Sequence, residues 1–131
     1  MNTFEPLMLW AGINTLLMLG LALNVTRHRF QAANEGYDQS RLERAIRAHG
    51  NNIEYVPVIL LGMALLAASG MSAVWIHACG ATLFIARSLH AYGIQQTGTL
   101  PKTRVLGNLG TWPTMLIVAV CLTYQGITHL I

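Results

Sequence analysis

Hydrophobic residues fall into four long runs separated by short polar stretches. Leu7–Val25 carries nineteen residues without a formal charge, interrupted by the polar Asn14, Thr15 and Asn24. That length matches the roughly 20 residues a helix needs to cross a bilayer core. Ile53–Ser69 is the second run, with Glu54 and Pro57 near its start. Ala73–Ile94 is the third and contains Arg87 and His90, and Val105–Ile131 is the fourth. The pattern predicts spans over 5–27, 41–69, 73–95 and 103–129, which leaves the chain, 1–131, as one four-span membrane domain. The fold class it implies is all-α: an integral membrane four-helix bundle of up-down topology.

The connections have local causes. Asn34-Glu35-Gly36 is turn chemistry. Ser40-Arg41-Leu42-Glu43 fits a capping box and predicts that helix 2 begins near Arg41, before its apolar part. Such a helix is about 43 Å long at 1.5 Å per residue, against a core of roughly 30 Å, so its first turns stand outside the hydrocarbon. Gly70-Met71-Ser72 allows a tight turn only, making helices 2 and 3 antiparallel neighbours; Gly98 and Pro101 punctuate the connection from Gln95 to Thr103. No internal repeat or low-complexity segment is visible.

Composition narrows the class. Of 131 residues, 53% are hydrophobic and 10% charged, whereas soluble domains carry roughly a quarter charged residues. Eight Lys and Arg against five Asp and Glu give +3. The basic residues are clustered rather than spread over a surface, so no nucleic-acid partner is expected. They lie between Arg27 and Arg104, around the first and third connections. By the positive-inside tendency those connections face the cytoplasm and both termini the other side, as in a multi-pass protein of a cell inner membrane. The N-terminal run lacks a basic leader, carries Glu5 and is long for a signal core, so it is read as retained. Cys79 and Cys121 both fall inside spans and are read as packing residues.

The chemistry lies in polar residues that intrude on helices. Arg47, Asn51 and Glu54 stand at i, i+4 and i+7, within about 60° on one helical face. Arg104, Asn108 and Thr111 repeat that spacing on helix 4, Arg87 and His90 lie one turn apart on helix 3, and Asn24 and Arg27 one turn apart on helix 1. Charges this near hydrocarbon are costly unless paired or wetted, so they are expected to face the bundle interior or a cleft. Interfacial anchoring accounts for Arg29, Arg41, Arg44 and Lys102. Arg87 is read either as the ion-pair partner of Glu54 or as a ligand contact. Pro57 frees the carbonyl of Ile53 beside the stripe. Several arginines, an amide and one carboxylate at a membrane edge suit a small, multiply anionic molecule carrying one ammonium, a description that glutathione meets.

The run Arg47-Ala48-His49-Gly50-Asn51-Asn52-Ile53-Glu54-Tyr55-Val56-Pro57 resembles the helix-2 signature of the MAPEG family, the membrane-associated proteins in eicosanoid and glutathione metabolism. Arg27-His28-Arg29 at the end of helix 1 and the Arg104 to Gly107 opening of helix 4 resemble the small bacterial members and their microsomal glutathione transferase relatives. The resemblance implies a homotrimer holding glutathione, its co-substrate, between neighbouring subunits, with no metal. It assigns Arg27, Arg47, Asn51, Glu54, Arg87 and His90 to glutathione binding. To Arg104 it assigns the catalytic role of favouring the ionised thiol. It implies transfer to, or peroxide reduction for, a lipophilic small-molecule substrate entering from the lipid bilayer. His90 and Ile94 stand where the eukaryotic synthases carry tyrosines, so eicosanoid substrates are not implied. Two other classes were weighed. One is a haem protein using His77 and His90, thirteen residues apart. The other is a small exporter or a non-enzymatic membrane protein binding glutathione or another small anion.

Overall fold

A computed structural model describes residues 3–98 and 101–128. Four helices account for nearly all of them: α1 (Phe4–Gln31), α2 (Gln39–Ala68), α3 (Ala73–Gln95) and α4 (Lys102–Thr128). The chain is an all-α membrane helical bundle, and its four helices overlap the four apolar runs. His129 lies outside the described residues.

Helices α1, α2 and α4 are long and apolar enough to cross a membrane by length and composition. Helix α3, which carries His77, Arg87 and His90, packs against all three of the others. So does α2, whereas α1 and α4 make no contact among the described residues, which leaves α2 and α3 as the central pair. The ends confirm the up-down order. Thr3 Oγ1 donates to the carbonyl of Ala67 at 3.1 Å, which joins the start of α1 to the end of α2. At the other end His28, Arg41, Arg44 and Gln95 to Thr97 enclose a hollow of about 270 Å³, so the first and third connections share one side.

Helix α2 starts earlier than a capping box at Ser40 predicts. Asp38 is the N-cap, and its carboxylate accepts the N–H of Ser40 at 3.0 Å. Ser40 is helical, and its hydroxyl accepts from Arg44 Nη1 instead. Hydrogen bonding from Ser40, first through its side chain and then its backbone, holds the Asp38 pKa below the ordinary aspartate value. The turn from α2 to α3 is closed by backbone bonds from Gly70 N to Ala67 O and from Met71 N to Leu66 O. This Schellman arrangement needs a left-handed residue after the cap, and Gly70 supplies it at φ +91°. Ser72 then caps α3 by accepting the N–H of Trp75.

The core has two apolar parts with a polar layer between them. Leu7, Ile59, Met63, Leu66, Ile76, Leu83 and Val118 form the larger cluster, against which Cys79 and Cys121 pack as free thiols. Leu21, Ala48 and Ala91 form the smaller. Asn52 on α2 and Arg87 on α3 fall between these groups, and both are fully buried.

Candidate functional site

The register fixed by the Asp38 cap sorts α2 into two stripes. Ala45, Ala48, Asn52, Val56 and Ile59 recur at helical spacing and are buried. Arg44, Arg47, Asn51, Glu54 and Tyr55 occupy an adjacent face and line a cleft of about 680 Å³. The opposite wall of the cleft is Arg104, Asn108 and Trp112, spaced i, i+4 and i+8 on α4, and His90 with Ile94 on α3 forms its back.

Two glycines bring that wall into place. A Cβ at Gly93 would lie 2.5 Å from the backbone nitrogen of Arg104, and one at Gly107 would lie 2.5 Å from His90 Cβ and 2.7 Å from the backbone nitrogen of His90. The start of α4 therefore lies directly on the end of α3, with Arg104 against Gly93 and Gly107 against His90. Glycine is the residue that permits such an approach.

Behind the cleft lies a buried knot centred on Arg87. Its Nη2 donates to Asn51 Oδ1 at 2.7 Å and its Nε to Asn52 Oδ1 at 3.3 Å. Nη2 also lies 3.5 Å from His90 Nδ1, and the guanidinium sits 5.4 Å from the centre of the Tyr55 ring. A buried cation is tolerated when it is partnered, and here two amide oxygens and an aromatic face serve Arg87, while its Nη1 is left without a partner. The predicted ion pair with Glu54 is not formed: Glu54 is exposed and lines the cleft, while Arg87 turns to the asparagines. Arg87 is not a lining residue at all.

Residues 7–124 match the model of the MAPEG family. The chain belongs to the MAPEG family. It is similar to the inner membrane protein YecN of Escherichia coli K12, 33% identical over 113 residues, covering 84% of each chain. The YecN of Escherichia coli O6:H1 matches equally well. No solved structure matches significantly.

Of the residues that the MAPEG resemblance singles out, Arg47, Asn51, Glu54, His90 and Arg104 meet in the one cleft. Arg27 does not join them; it is exposed near the end of α1, and its neighbour Asn24 is committed to Gln95 Oε1 at 2.9 Å. Thr111, in register with Arg104 and Asn108, is buried and donates back to the Gly107 carbonyl. Sequence reasoning passed over Arg44, Tyr55 and Trp112, all of which line the cleft, and Asn52, which lies beneath it. Arg44 has the position of an interfacial anchor, yet it stands one turn before Arg47 and shares its face. Asn52 was legible from its spacing with Ala45, Ala48 and Val56 on the buried stripe. The two histidines weighed as haem ligands have other partners: His77 Nδ1 accepts from Trp10 Nε1 at 3.1 Å, and His90 abuts Arg87.

Proposed function

We propose that this MAPEG protein binds glutathione in the cleft and uses it, as the thiolate, to modify or reduce lipophilic electrophiles. The observation that supports this most is the charge pattern: Arg44, Arg47 and Arg104 surround a single carboxylate, Glu54, in a cleft at one end of a membrane bundle. Guanidinium forks match the two carboxylates of glutathione, and Glu54 suits its ammonium. Arg104 is assigned the sulfur. A cation beside a thiol favours the charged form, and each pKa unit so gained corresponds to about 1.4 kcal/mol. In conjugation the thiol proton leaves to solvent, the sulfur bonds to the electrophilic carbon, and the leaving group departs with its electron pair. Peroxide reduction starts from the same thiolate, which attacks one oxygen and expels the other as alkoxide.

Arg47, Glu54 and Arg104 are exposed on one chain, so the cleft is open to a neighbouring subunit. A homotrimer would close it there, with Arg27 of that neighbour reaching the ligand. The relatives' inner-membrane placement and the basic first and third connections support an inner-membrane protein with both termini away from the cytoplasm. Ligand binding without chemistry is the second reading, since the relatives' names state a location and no activity.

The test is glutathione titration of the purified protein in detergent, with ultraviolet difference spectra for the thiolate. Wild type is expected to bind and show the band, Arg104→Ala to bind without it, and Glu54→Gln to bind about tenfold more weakly, as for loss of a charge-assisted hydrogen bond. No binding at millimolar glutathione by a folded protein overturns the proposal. Binding without a thiolate in the wild type leaves the non-catalytic reading.

A further inference from the structure

Arg87 is fully buried, lies outside the cleft lining, and yet touches three residues that form the lining: Asn51, Tyr55 and His90. Arginine donates hydrogen bonds and accepts none. Whatever faces it must therefore offer a lone pair, and this fixes the orientation of groups that are otherwise ambiguous. At Asn51 the oxygen is taken up by Nη2 at 2.7 Å, so the amino group is the end left for the cleft. At His90 the nitrogen facing Arg87 is Nδ1, at 3.5 Å, and a hydrogen bond there requires the tautomer with its proton on Nε2.

We propose that Arg87 is a positioning residue: from behind the wall it holds the oxygen of Asn51 and the Nδ1 of His90, so that both side chains present donors to the ligand. This rests on the reading of the cleft as the ligand site. Its consequence is a division of labour that the lining alone does not show. The back of the cleft, Asn51 and His90, becomes a surface for carbonyl or carboxylate oxygens, and Glu54 is left to receive a cation. An ammonium placed against Asn51 would meet N–H groups and be rejected, which makes Arg87 a determinant of which end of a zwitterionic ligand faces inward. The knot also shows why the device is specific to this arrangement. Arg87 Nη1 and Asn52 Nδ2 are buried donors without a partner, so an Asn51 turned to put its amino group inward would set donor against donor.

The test is a double-mutant cycle on glutathione affinity in the full-length protein, with histidine 15N spectra alongside. Asn51→Ala is expected to weaken binding about tenfold, the worth of one hydrogen bond, Arg87→Met by more because it releases His90 as well, and the double variant no more than Arg87→Met alone. Arg87→Lys, which restores one donor, is expected to recover part of the loss. A double variant a further tenfold weaker than Arg87→Met, the product of two independent effects, overturns the proposal, because Arg87 would then contact the ligand itself. In the spectra wild-type His90 is expected as the Nε2–H tautomer, with that preference lost in Arg87→Met; an unchanged tautomer overturns it too. The spectra need no ligand, so they decide the role of Arg87 even where the wild type fails to bind glutathione, a result that would sink the cleft reading alone. Should Arg87→Met not fold, Asn51→Asp carries the cycle: it leaves Arg87 an oxygen but removes the donor, and undiminished affinity overturns the proposal.

Discussion

Gly107→Ala tests how the site is assembled. The added methyl would stand 2.5 Å from His90 Cβ and 2.7 Å from both the Ala86 carbonyl oxygen and the His90 nitrogen. Two of these three atoms are backbone, so no rotamer change relieves the clash; α3 and α4 must part by about 1 Å to restore ordinary contact. Overpacking of this kind costs about 1–3 kcal/mol, and a rigid neighbour places this case toward the upper end. The separation also carries Arg104 away from His90, so ligand affinity should fall together with stability. The control is Gly12→Ala, mid-helix in α1, where a Cβ meets nothing within 4 Å; there the lower backbone entropy of alanine should leave stability unchanged or raise it by about 0.5–1 kcal/mol. Unfolding midpoints of the two variants in one detergent, followed by circular dichroism, decide the matter. Equal midpoints, or a Gly107→Ala protein as stable as the wild type, would refute the close α3–α4 approach.

Trp10→Phe keeps a ring against Gly80, which a Cβ would bring to 2.2 Å from the indole, but removes the bond to His77. A loss of about 1 kcal/mol in unfolding is expected, as for an interhelical bond in a membrane protein, and no change in glutathione affinity. At the α2 cap, Asp38→Ala should increase amide exchange at Ser40 while Asp38→Asn should not, because asparagine caps as well as aspartate. The pH dependence has a definite sign. The Asp38 pKa is lowered in the folded state, so the cap is intact above the unfolded value of about 3.9 and is lost as pH falls through the folded one. Exchange at Ser40, corrected for its intrinsic rate, should stay flat above that value; a step near neutrality would show that another group governs the cap.

The four helices and their order were legible because bilayer thickness and the cost of exposed backbone leave few solutions for apolar runs of this length. The Arg47, Asn51, Glu54 stripe was legible for a similar reason, since helical period alone puts those residues on one face. The start of α2 was misread by two residues because Asp38 and Ser40 both satisfy the local chemistry of a cap, and only the backbone path selects between them. What lay beyond the sequence was how faces on different helices meet. Arg87 had Glu54 and the asparagines within the same few turns of α2; the rotation of α3 against α2 turned it to the buried stripe and left the carboxylate for the cleft. Gly93 and Gly107 in turn set how closely α4 approaches α3, so the site rests on packing spread over three helices. The sequence by itself determined where charged and polar groups enter the helices, because charge near hydrocarbon is too costly to be incidental. The tertiary structure decided which of them line the cleft and which stand behind those that do, because burial depends on the angle between helices and not on spacing along one.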